Sequence, residues 1–448
     1  MKIRFGIASA VLGAVLIWAS TTAIAQAQLP TGNPLTVGCD WILAFDPATP
    51  GLGNTAFPEL NARYWIAAVS DRVPAGTRLR VQGRFPQARY SALHVHDGNL
   101  FLLDALSDNE LVPDAGSANL FLDRTVQDMG VEPGGRYTAT VRINTPIPAQ
   151  REDNTLYRPR SPLFDPPARK RTALVYRTYL PVGGNEGGFE LPHLVLERPG
   201  KPDIALADTP DTAACAAIEQ SVYRDGSPLP ISLIQPLIPS RNAPAFVRFQ
   251  GTALNALRLG VGYNPHNAFM YVKTDRSYGD YLLIRGRLPS YTTQSQDVTV
   301  PEVRYYSVCQ YGAASGKVYD CLADRQLVLD DRQQYTVAIG TDAARPAFLD
   351  PAQYGWLPWG PEKIGAAMIR ELLDHPTYAK SIQKSGGSSD IDRGDLTPAV
   401  TYCPRAVLRG AIESGLDAAA TFDRCQAAGG GSLLSLPGLP LSLPGLLN

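Results

Sequence analysis

The sequence predicts an all-β protein built from two tandem antiparallel β-sandwich domains of jelly-roll type. Three observations support this: a repeated order of short motifs, segments of alternating polarity between turn residues, and few stretches with helical spacing. The chain has 448 residues, including 38 prolines and 40 glycines, and only 19% of its residues are charged. Average chains have about 5% Pro, 7% Gly and 25% charged residues. This chain is therefore enriched in residues that break regular structure, which favours short strands with frequent turns.

Five motifs of the first half recur in the same order in the second half. The matched residues include Asn61 with Asn267, Arg84 with Arg287, Arg89 with Arg304, Asp104 with Asp320, and Asp108 with Asp324. A repeat in conserved order predicts a tandem duplication. We therefore expect one domain over 28–217 and a second over 218–427.

The matched segments have the composition of strands. Predicted strands cover 78–83, 89–96, 138–143, 281–286 and 304–311, and Asp97-Gly98 predicts a tight turn with a positive φ. Segment 365–372 has helical spacing, but the repeat aligns it with a strand-like segment and favours a strand. Short helices are expected over 376–382 and around 416–425.

The first 27 residues have the pattern of a secretory signal peptide. Lys2 and Arg4 precede an apolar run over 7–18, and Ala23, Ala25 and Ala27 follow in the spacing of a cleavage site. The apolar run is too short to span a membrane. We expect an extracytoplasmic protein, periplasmic or secreted. The mature chain would hold 39 basic and 42 acidic residues, a balance that argues against a nucleic-acid partner.

Six cysteines follow the predicted signal peptide, and an even number in an oxidising compartment predicts disulfides. Six cysteines allow about fifteen pairings, which spacing can only rank. The ranking favours Cys309–Cys321 across a hairpin, Cys403–Cys425 near the end, and Cys39–Cys215 around the first half. The segment 428–448 is rich in Leu, Pro and Gly and is predicted to be a disordered tail.

The segment 304–311, Arg-Tyr-Tyr-Ser-Val-Cys-Gln-Tyr, is followed by Gly-Trp-Leu-Pro-Trp-Gly-Pro at 355–361. These residues resemble a group of secreted bacterial proteins of unknown function, whose carboxy-terminal β-domain has an Arg-x-x-Ser strand and a Trp-Leu-Pro-x-x-Pro motif. The resemblance implies a jelly-roll-like fold and export, and it implies no catalytic residue. The chain departs from the motif at Gly355, where the family usually has Asn, and in its additional cysteines.

The duplicated charges are the first candidates for a site. We expect the arginines and aspartates to form ion pairs between neighbouring strands, since buried charges are usually paired. The alternative is a pair of arginine sites that bind a carboxylate or a sugar, formed by Arg84, Arg89, Arg287 and Arg304.

Two histidines distinguish the first half, since His94 and His96 align with Cys309 and Tyr311. On a strand they would share one face, about 6.5–7 Å apart, a spacing compatible with one divalent metal and with Asp104 or Asp108 as a third ligand. The alternative is a polar strand end beside a turn. The aromatic residues offer a further choice between a sugar-stacking platform and ordinary core packing; they are Trp41, Tyr64, Trp65, Trp356 and Trp359.

No complete catalytic motif is present, so we expect a non-catalytic ligand-binding or envelope-associated protein. Its ligand would be a small molecule or a carbohydrate, and no cofactor is predicted. The alternative is an extracytoplasmic enzyme with a site in the first domain. That enzyme would be metal-dependent through His94 and His96, or would use Asp104 and Asp108 as acid and base.

Overall fold

The computed structural model describes residues 35–46, 53–54, 57–121, 134–159, 171–222, 242–249, 262–291, 301–385 and 393–429. The predicted signal peptide and nearly all of the predicted tail lie outside these residues. The described strands form four sheets, and the all-β prediction is confirmed.

The first half forms two five-stranded sheets. Sheet I contains, in spatial order, β1 (Gly38–Phe45), β2 (Ala62–Ser70), β8 (Arg171–Tyr179), β4 (Tyr90–His96) and β5 (Leu102–Ser107). Sheet II contains β10 (Ile204–Ala205), β9 (His193–Glu197), β3 (Arg78–Arg84), β6 (Arg136–Ile143) and β7 (Thr155–Arg158). The chain passes repeatedly between the two sheets, for example from β2 to β3 and from β7 to β8, as in jelly-roll-like sandwiches.

The second half repeats this order of strands. Sheet III contains β11 (Val247–Phe249), β12 (Asn267–Asp275), β18 (Ile364–Asp374), β14 (Val303–Gly312) and β15 (Val318–Ala323). Sheet IV contains β17 (Gly355–Pro358), β16 (Gln334–Gly340), β13 (Tyr281–Arg287) and β19 (Ala399–Cys403). The pairings are antiparallel except for β6 with β7 and β16 with β17, which are parallel.

The shared strand order supports most of the residue matches found in the sequence, with one correction. Arg177 and Arg370 lie opposite Ala92 and Ser307 in the two halves. Two residues after these arginines, Tyr179 pairs with Ala62 and Leu372 pairs with Asn267. Asn267 therefore corresponds to Ala62 and not to Asn61, and the residue that corresponds to Asn61 is His266. The common topology does not show ancestry, so the duplication itself stays a prediction.

Apolar side chains on alternating strand positions fill one core in each half. The core between sheets I and II includes Val81, Leu93, Val141 and Leu174, and the core between sheets III and IV includes Ile284, Val308, Val337 and Ile369. Because neighbouring residues of a strand point to opposite faces, the other face of β4 and of β14 needs its own cover. The two inner sheets, I and III, supply this cover for each other: Tyr90, Tyr179, Tyr305 and Leu372 pack in one cluster.

Four α-helices of the described residues lie outside the sheets. They are α1 (Thr212–Val222), α2 (Ile382–Ser385), α3 (Arg405–Glu413) and α4 (Ala418–Ala428). Helix α1 runs across the domain boundary predicted at 217, and α2 begins where the short helix predicted over 376–382 was expected to end. The strand predicted over 365–372 is confirmed as β18. In the described part of the chain no helix has the length and apolar character needed to cross a membrane.

The six cysteines form the three disulfides that their spacing favours: Cys39–Cys215, Cys309–Cys321 and Cys403–Cys425. The first joins β1 to α1, and the second joins directly opposed residues of β14 and β15. The third joins β19 to α4. The turn after β4 differs from expectation, because Leu100 and not Gly98 has the positive φ, 61°. The Asp97 carboxylate holds this turn by accepting the N–H groups of Asn99 and Phe101.

Candidate functional site

The inner sheets are joined by two ion pairs that mirror each other. Arg89 of the first half contacts Asp324 of the second at 3.0 Å, and Arg304 of the second half contacts Asp108 of the first. Each carboxylate also accepts a backbone N–H of its own half: Ser91 donates to Asp108 at 2.6 Å, and Tyr306 donates to Asp324 at 3.2 Å. The expectation that these charges pair neighbouring strands is therefore wrong in one respect, since the pairs cross between the halves.

Both aspartates are completely buried, while their arginines keep a small exposed fraction. Burial raises the pKa of Asp108 and of Asp324, and the facing arginines oppose this shift. A buried carboxylate with both an arginine and a backbone donor is well satisfied. These four residues stabilise the contact between the two halves, and they are not free to bind a ligand.

A second pair of arginines lies deeper in the same interface. Arg177 on β8 and Arg370 on β18 occupy equivalent strand positions, and each donates to a carbonyl of the other half. Arg370 donates to the Phe57 carbonyl, and Arg177 donates to the Gly262 carbonyl at 3.3 Å. Arg370 is 5% exposed and Arg177 is 3% exposed. Each charge therefore needs compensation inside the protein.

Arg370 is fully compensated by residues of both halves. Its guanidinium donates to the Glu59 carboxylate at 2.9 Å and to the Tyr311 hydroxyl at 2.5 Å. Glu59 is also completely buried, and it accepts the Ser307 hydroxyl at 2.6 Å and the Asn61 amide at 3.2 Å. Glu59 and Arg370 thus form a buried ion pair with its remaining hydrogen-bonding positions filled.

Arg177 has no such partner in the part of the chain that the structure describes. Its Nε atom is buried without a hydrogen bond, and its guanidinium lies 5.3 Å from the centre of the Tyr64 ring. Asn264, a neutral residue, stands where Glu59 stands in the other half, and its Nδ2 atom is also buried without a partner. Leaving a buried charge uncompensated costs about 3–5 kcal/mol in proteins.

The two histidines of β4 lie beside Arg177. As predicted, they share one face of the strand, and their ring centres are 6.0 Å apart. Both are completely buried, so they do not form a polar strand end. His96 donates from Nδ1 to the Leu100 carbonyl at 3.0 Å, which assigns its proton to Nδ1. Its Nε2 atom and both ring nitrogens of His94 make no hydrogen bond with the described residues.

The surroundings keep these imidazoles neutral. Burial, reinforced by the charge of Arg177, holds the pKa of His94 well below its ordinary value, although the backbone of Tyr263 acts weakly in the other direction. The same two causes lower the pKa of His96 to about 3. A third imidazole, His266 of the second half, has its ring centre 5.8 Å from that of His94.

His266 links this cluster to the edge of the site. Its Nδ1 atom lies 2.9 Å from the Tyr90 hydroxyl, and its Nε2 atom lies 3.4 Å from a Glu110 carboxylate oxygen. Burial would raise the pKa of Glu110, but hydrogen bonds from His266 and Ser107 outweigh it and bring the pKa to about 2. Both contacts are hydrogen bonds when the Tyr90 hydroxyl donates to Nδ1 of His266 and the ring proton of His266 is on Nε2, facing the Glu110 carboxylate.

The arrangement gives little support for a metal bound by His94 and His96. Asp104, the expected third ligand, lies opposite Val95 and so on the other face of the sheet. There it binds Arg151 through two contacts of 2.8 Å and accepts the Tyr157 N–H at 2.7 Å. Asp108, the other choice, is paired with Arg304. The adjacent Arg177 also makes the position electrostatically unfavourable for a cation.

In the described ranges, the group of three potential metal ligands within 4.8 Å of one another is Glu59, Cys309 and Cys321. Its two sulfurs are joined in a disulfide and its carboxylate is paired with Arg370. This group therefore offers no set of thiolates to a metal.

The remaining candidates are dispersed through the fold. Trp65 and Trp359 are 2% and 1% exposed and belong to the two cores, while Trp356 packs against Tyr281. Core packing, and not a sugar-stacking platform, accounts for them. Arg84 donates to the Gly134 carbonyl and lies over the Phe189 ring. Arg287 lies 3.5 Å from Asp395 and 3.9 Å from Glu302 at the surface.

A shallow surface depression of about 290 Å³ lies elsewhere on the second half, lined by Glu302, His375, Thr377, Tyr378 and Lys380. Its polar groups are largely engaged locally: His375 with Thr377, and Glu302 with Ser290. The interface cluster is therefore the stronger candidate.

Sequence reasoning missed Arg177, Arg370, Glu59, Asn264 and His266. A signal for the two arginines was present, because the repeat aligns their strands and both carry Arg at the same position. Glu59, Asn264 and His266 precede β2 and β12, where the sequence matches are loose. Their partners lie on strands distant in the chain, so spacing alone does not connect them.

The fold and site define an all-β, disulfide-linked protein whose buried polar cluster lies between two sandwiches. No protein-family model matches the chain, and no curated protein matches its sequence. An uncharacterized protein from Burkholderia cenocepacia is similar in structure over 75% of this chain and 78% of its own, with 16% identity and a TM-score of 0.46. A protein from Vibrio parahaemolyticus is similar over 77% and 89%, with 14% identity and a TM-score of 0.37.

Proposed function

We propose that the protein is an exported, non-catalytic binding protein whose ligand contacts both halves at Arg177, His94, His96 and Asn264. We call these four residues the interface site. The observation that carries the proposal is the concentration of unpartnered buried polar atoms there. Most buried polar groups in proteins have a hydrogen-bonding partner, so a cluster of exceptions indicates a position that another molecule fills.

Binding fits the site better than acid–base catalysis does. The two carboxylates expected to act as acid and base, Asp104 and Asp108, are each held by an arginine and a backbone N–H. A general acid or base must be free to exchange its proton with a substrate. The unpartnered atoms of the interface site instead belong to a guanidinium, an amide and neutral imidazoles, which are groups that orient a ligand.

Export is supported by the cysteines together with the amino-terminal sequence. All three disulfides are formed in the described residues, and such bonds persist in oxidising compartments. The signal-peptide pattern of residues 1–27 predicts the same destination.

A thermal-shift experiment on the full chain tests the binding function. The probes are sodium acetate, glucose and methylammonium chloride, each over a range of concentrations at constant ionic strength. We expect at least one of them to raise the Tm of the wild type, since a ligand that binds only the folded state stabilises it.

The matched variants are Arg177→Met, at the site, and Arg409→Met, at an exposed arginine on α3 that pairs with Glu413. We expect Arg409→Met to keep the shift and Arg177→Met to lose it. An equal shift in all three proteins, or no shift with any probe, would contradict a binding role for the interface site.

A further inference from the structure

We propose that the interface site binds a small carboxylate, which takes the place at Arg177 that the Glu59 side chain takes at Arg370. This inference rests on the proposed function and names the chemical class of its ligand. The chain contains its own example of the bound state, because one of two equivalent arginines already holds a carboxylate.

The equivalence of Glu59 and Asn264 follows from matched contacts around them. Two residues earlier, the Phe57 N–H donates to the Gly316 carbonyl and the Gly262 N–H donates to the Leu100 carbonyl, each at 2.9 Å. The Phe57 and Gly262 carbonyls accept Arg370 and Arg177.

The residues that follow also correspond. The Glu59 carbonyl accepts the Ala62 N–H at 3.0 Å, and the Asn264 carbonyl accepts the Asn267 N–H at 3.2 Å. Asn61 and His266, two residues further on, contact the hydroxyls of Tyr305 and Tyr90. The two loops thus hold Glu59 and Asn264 in the same place relative to the opposing sheet.

The exchange of Glu59 for Asn264 removes both charge and length at this place. Asn264 uses its Oδ1 to accept the backbone N–H of His266 at 3.0 Å, and its Nδ2 is left without a partner. A carboxylate beside it would accept N–H groups from Asn264 Nδ2 and Arg177 Nε. The single N–H of a neutral His94 could add a third donor, because neither ring nitrogen makes a hydrogen bond of ordinary geometry, although the Tyr263 backbone lies nearby.

Charge disfavours a cation and a neutral sugar as the ligand. A cation would be repelled by Arg177, and a neutral sugar would leave the guanidinium charge uncompensated. Since His94, His96 and Arg177 are nearly or completely buried, the part of the ligand held here is limited to a few heavy atoms. An acetate or formate ion has this charge, shape and size.

The experiment compares the wild type with Asn264→Glu and Asn264→Gln. Glu at this position would supply an internal carboxylate, as Glu59 does, while Gln has the same length without the charge. Sodium acetate, sodium formate, sodium chloride and glucose are the probes, with Tm and titration calorimetry as readouts.

In the wild type we expect acetate to raise Tm by about 5 °C at a hundredfold excess over Kd, and chloride or glucose to have no comparable effect. Asn264→Glu should melt above the wild type and lose the acetate response, whereas Asn264→Gln should retain it. Should Asn264→Glu not fold, the isosteric Asn264→Asp gives the same comparison.

The possible failures are distinguishable. A shift with glucose or chloride but none with acetate would overturn the carboxylate while leaving a binding site at the interface. No shift with any probe, together with an Asn264→Glu variant no more stable than the wild type, would overturn both the carboxylate and the binding function. An acetate response that persists in Asn264→Glu would place acetate elsewhere and overturn the assignment.

Discussion

Arg370 and Arg177 occupy the same position in the two halves, but among the residues that the structure describes only Arg370 has a counter-charge. At Arg370 the buried Glu59 completes an ion pair, and at Arg177 the neutral Asn264 leaves polar atoms unpartnered. The facing loop makes the same carbonyl contact with the arginine in both halves. The side chain on that loop, Glu59 or Asn264, is therefore the first difference between a structural ion pair and a candidate binding site.

The strand beside each arginine differs in the same sense. In the second half Cys309 is bonded to Cys321, and Tyr311 donates its hydroxyl to the Pro58 carbonyl at 3.1 Å. In the first half the corresponding residues are His94 and His96, which retain unpartnered ring nitrogens. Cys309 and Tyr311 of the second half are thus held by a disulfide and a hydrogen bond, whereas the equivalent histidines of the first half have ring nitrogens that could bind a ligand.

Removing the counter-charge of Arg370 should have the largest effect. Glu59→Gln would leave Arg370 as uncompensated as Arg177, and we expect the free energy of unfolding to fall by about 3–5 kcal/mol, as for other broken buried ion pairs. Urea unfolding at pH 7 measures this. Glu413→Gln, at an exposed pair on α3, serves as a control and should change stability by less than about 1 kcal/mol. A loss for Glu59→Gln as small as for this control would remove the contrast between the two arginines.

The mirrored ion pairs provide the next test. Arg89→Met and Arg304→Met each leave a buried aspartate without its arginine, and we expect similar losses of about 2–3 kcal/mol, below the full cost of a broken buried pair because the arginines are partly exposed. The control is Arg287→Met, whose side chain is 38% exposed and whose ion-pair contacts are 3.5 Å or longer. Clearly unequal losses for Arg89→Met and Arg304→Met would show that the two pairs are not equivalent in energy.

Acid should destabilise the protein through the histidines that only the first half has. Because their pKa values lie below the ordinary value in the folded state, and that of His96 is about 3, the unfolded chain binds more protons below pH 6.5. Stability is then lost as the pH falls from about 6.5 toward 3, and His96 alone accounts for about 2 kcal/mol at pH 5. Urea unfolding at pH 7 and pH 5 measures the loss in the wild type and in the His94→Gln/His96→Gln double variant.

The double variant should lose less stability than the wild type between these two pH values. His193→Gln, at an exposed histidine, should behave as the wild type. An unchanged acid dependence in the double variant would show that His94 and His96 are not the neutral buried groups described above.

The sequence was sufficient for the features that depend on local pattern. Alternating polarity predicted strands such as β4 and β18, and Cys309 and Cys321 flank a hairpin whose geometry brings them together. The shared face of His94 and His96 follows from the two-residue period of a strand.

The sequence was insufficient where two distant segments meet. Nothing local to Asp104 shows that it faces Arg151 and not the histidines, since a bulge between Val95 and His96 alters the register of its strand. The sequence predicts Arg–Asp pairs between neighbouring strands because it does not show which face of sheet I packs against sheet III. The missing information is the packing of one sandwich on the other, which sets the partners of Arg89, Arg177, Arg304 and Arg370.

The Cys39–Cys215 disulfide gives the first half a mechanical property that the second half lacks. It joins residues 176 positions apart in the chain while holding their Cα atoms 5.5 Å from each other. A force pulling on the two ends of the polypeptide would pass through this bond and bypass both sheets of the first half. At about 3.5 Å per residue, roughly 600 Å of chain is shielded from extension, so sheets I and II remain unloaded while sheets III and IV are pulled apart.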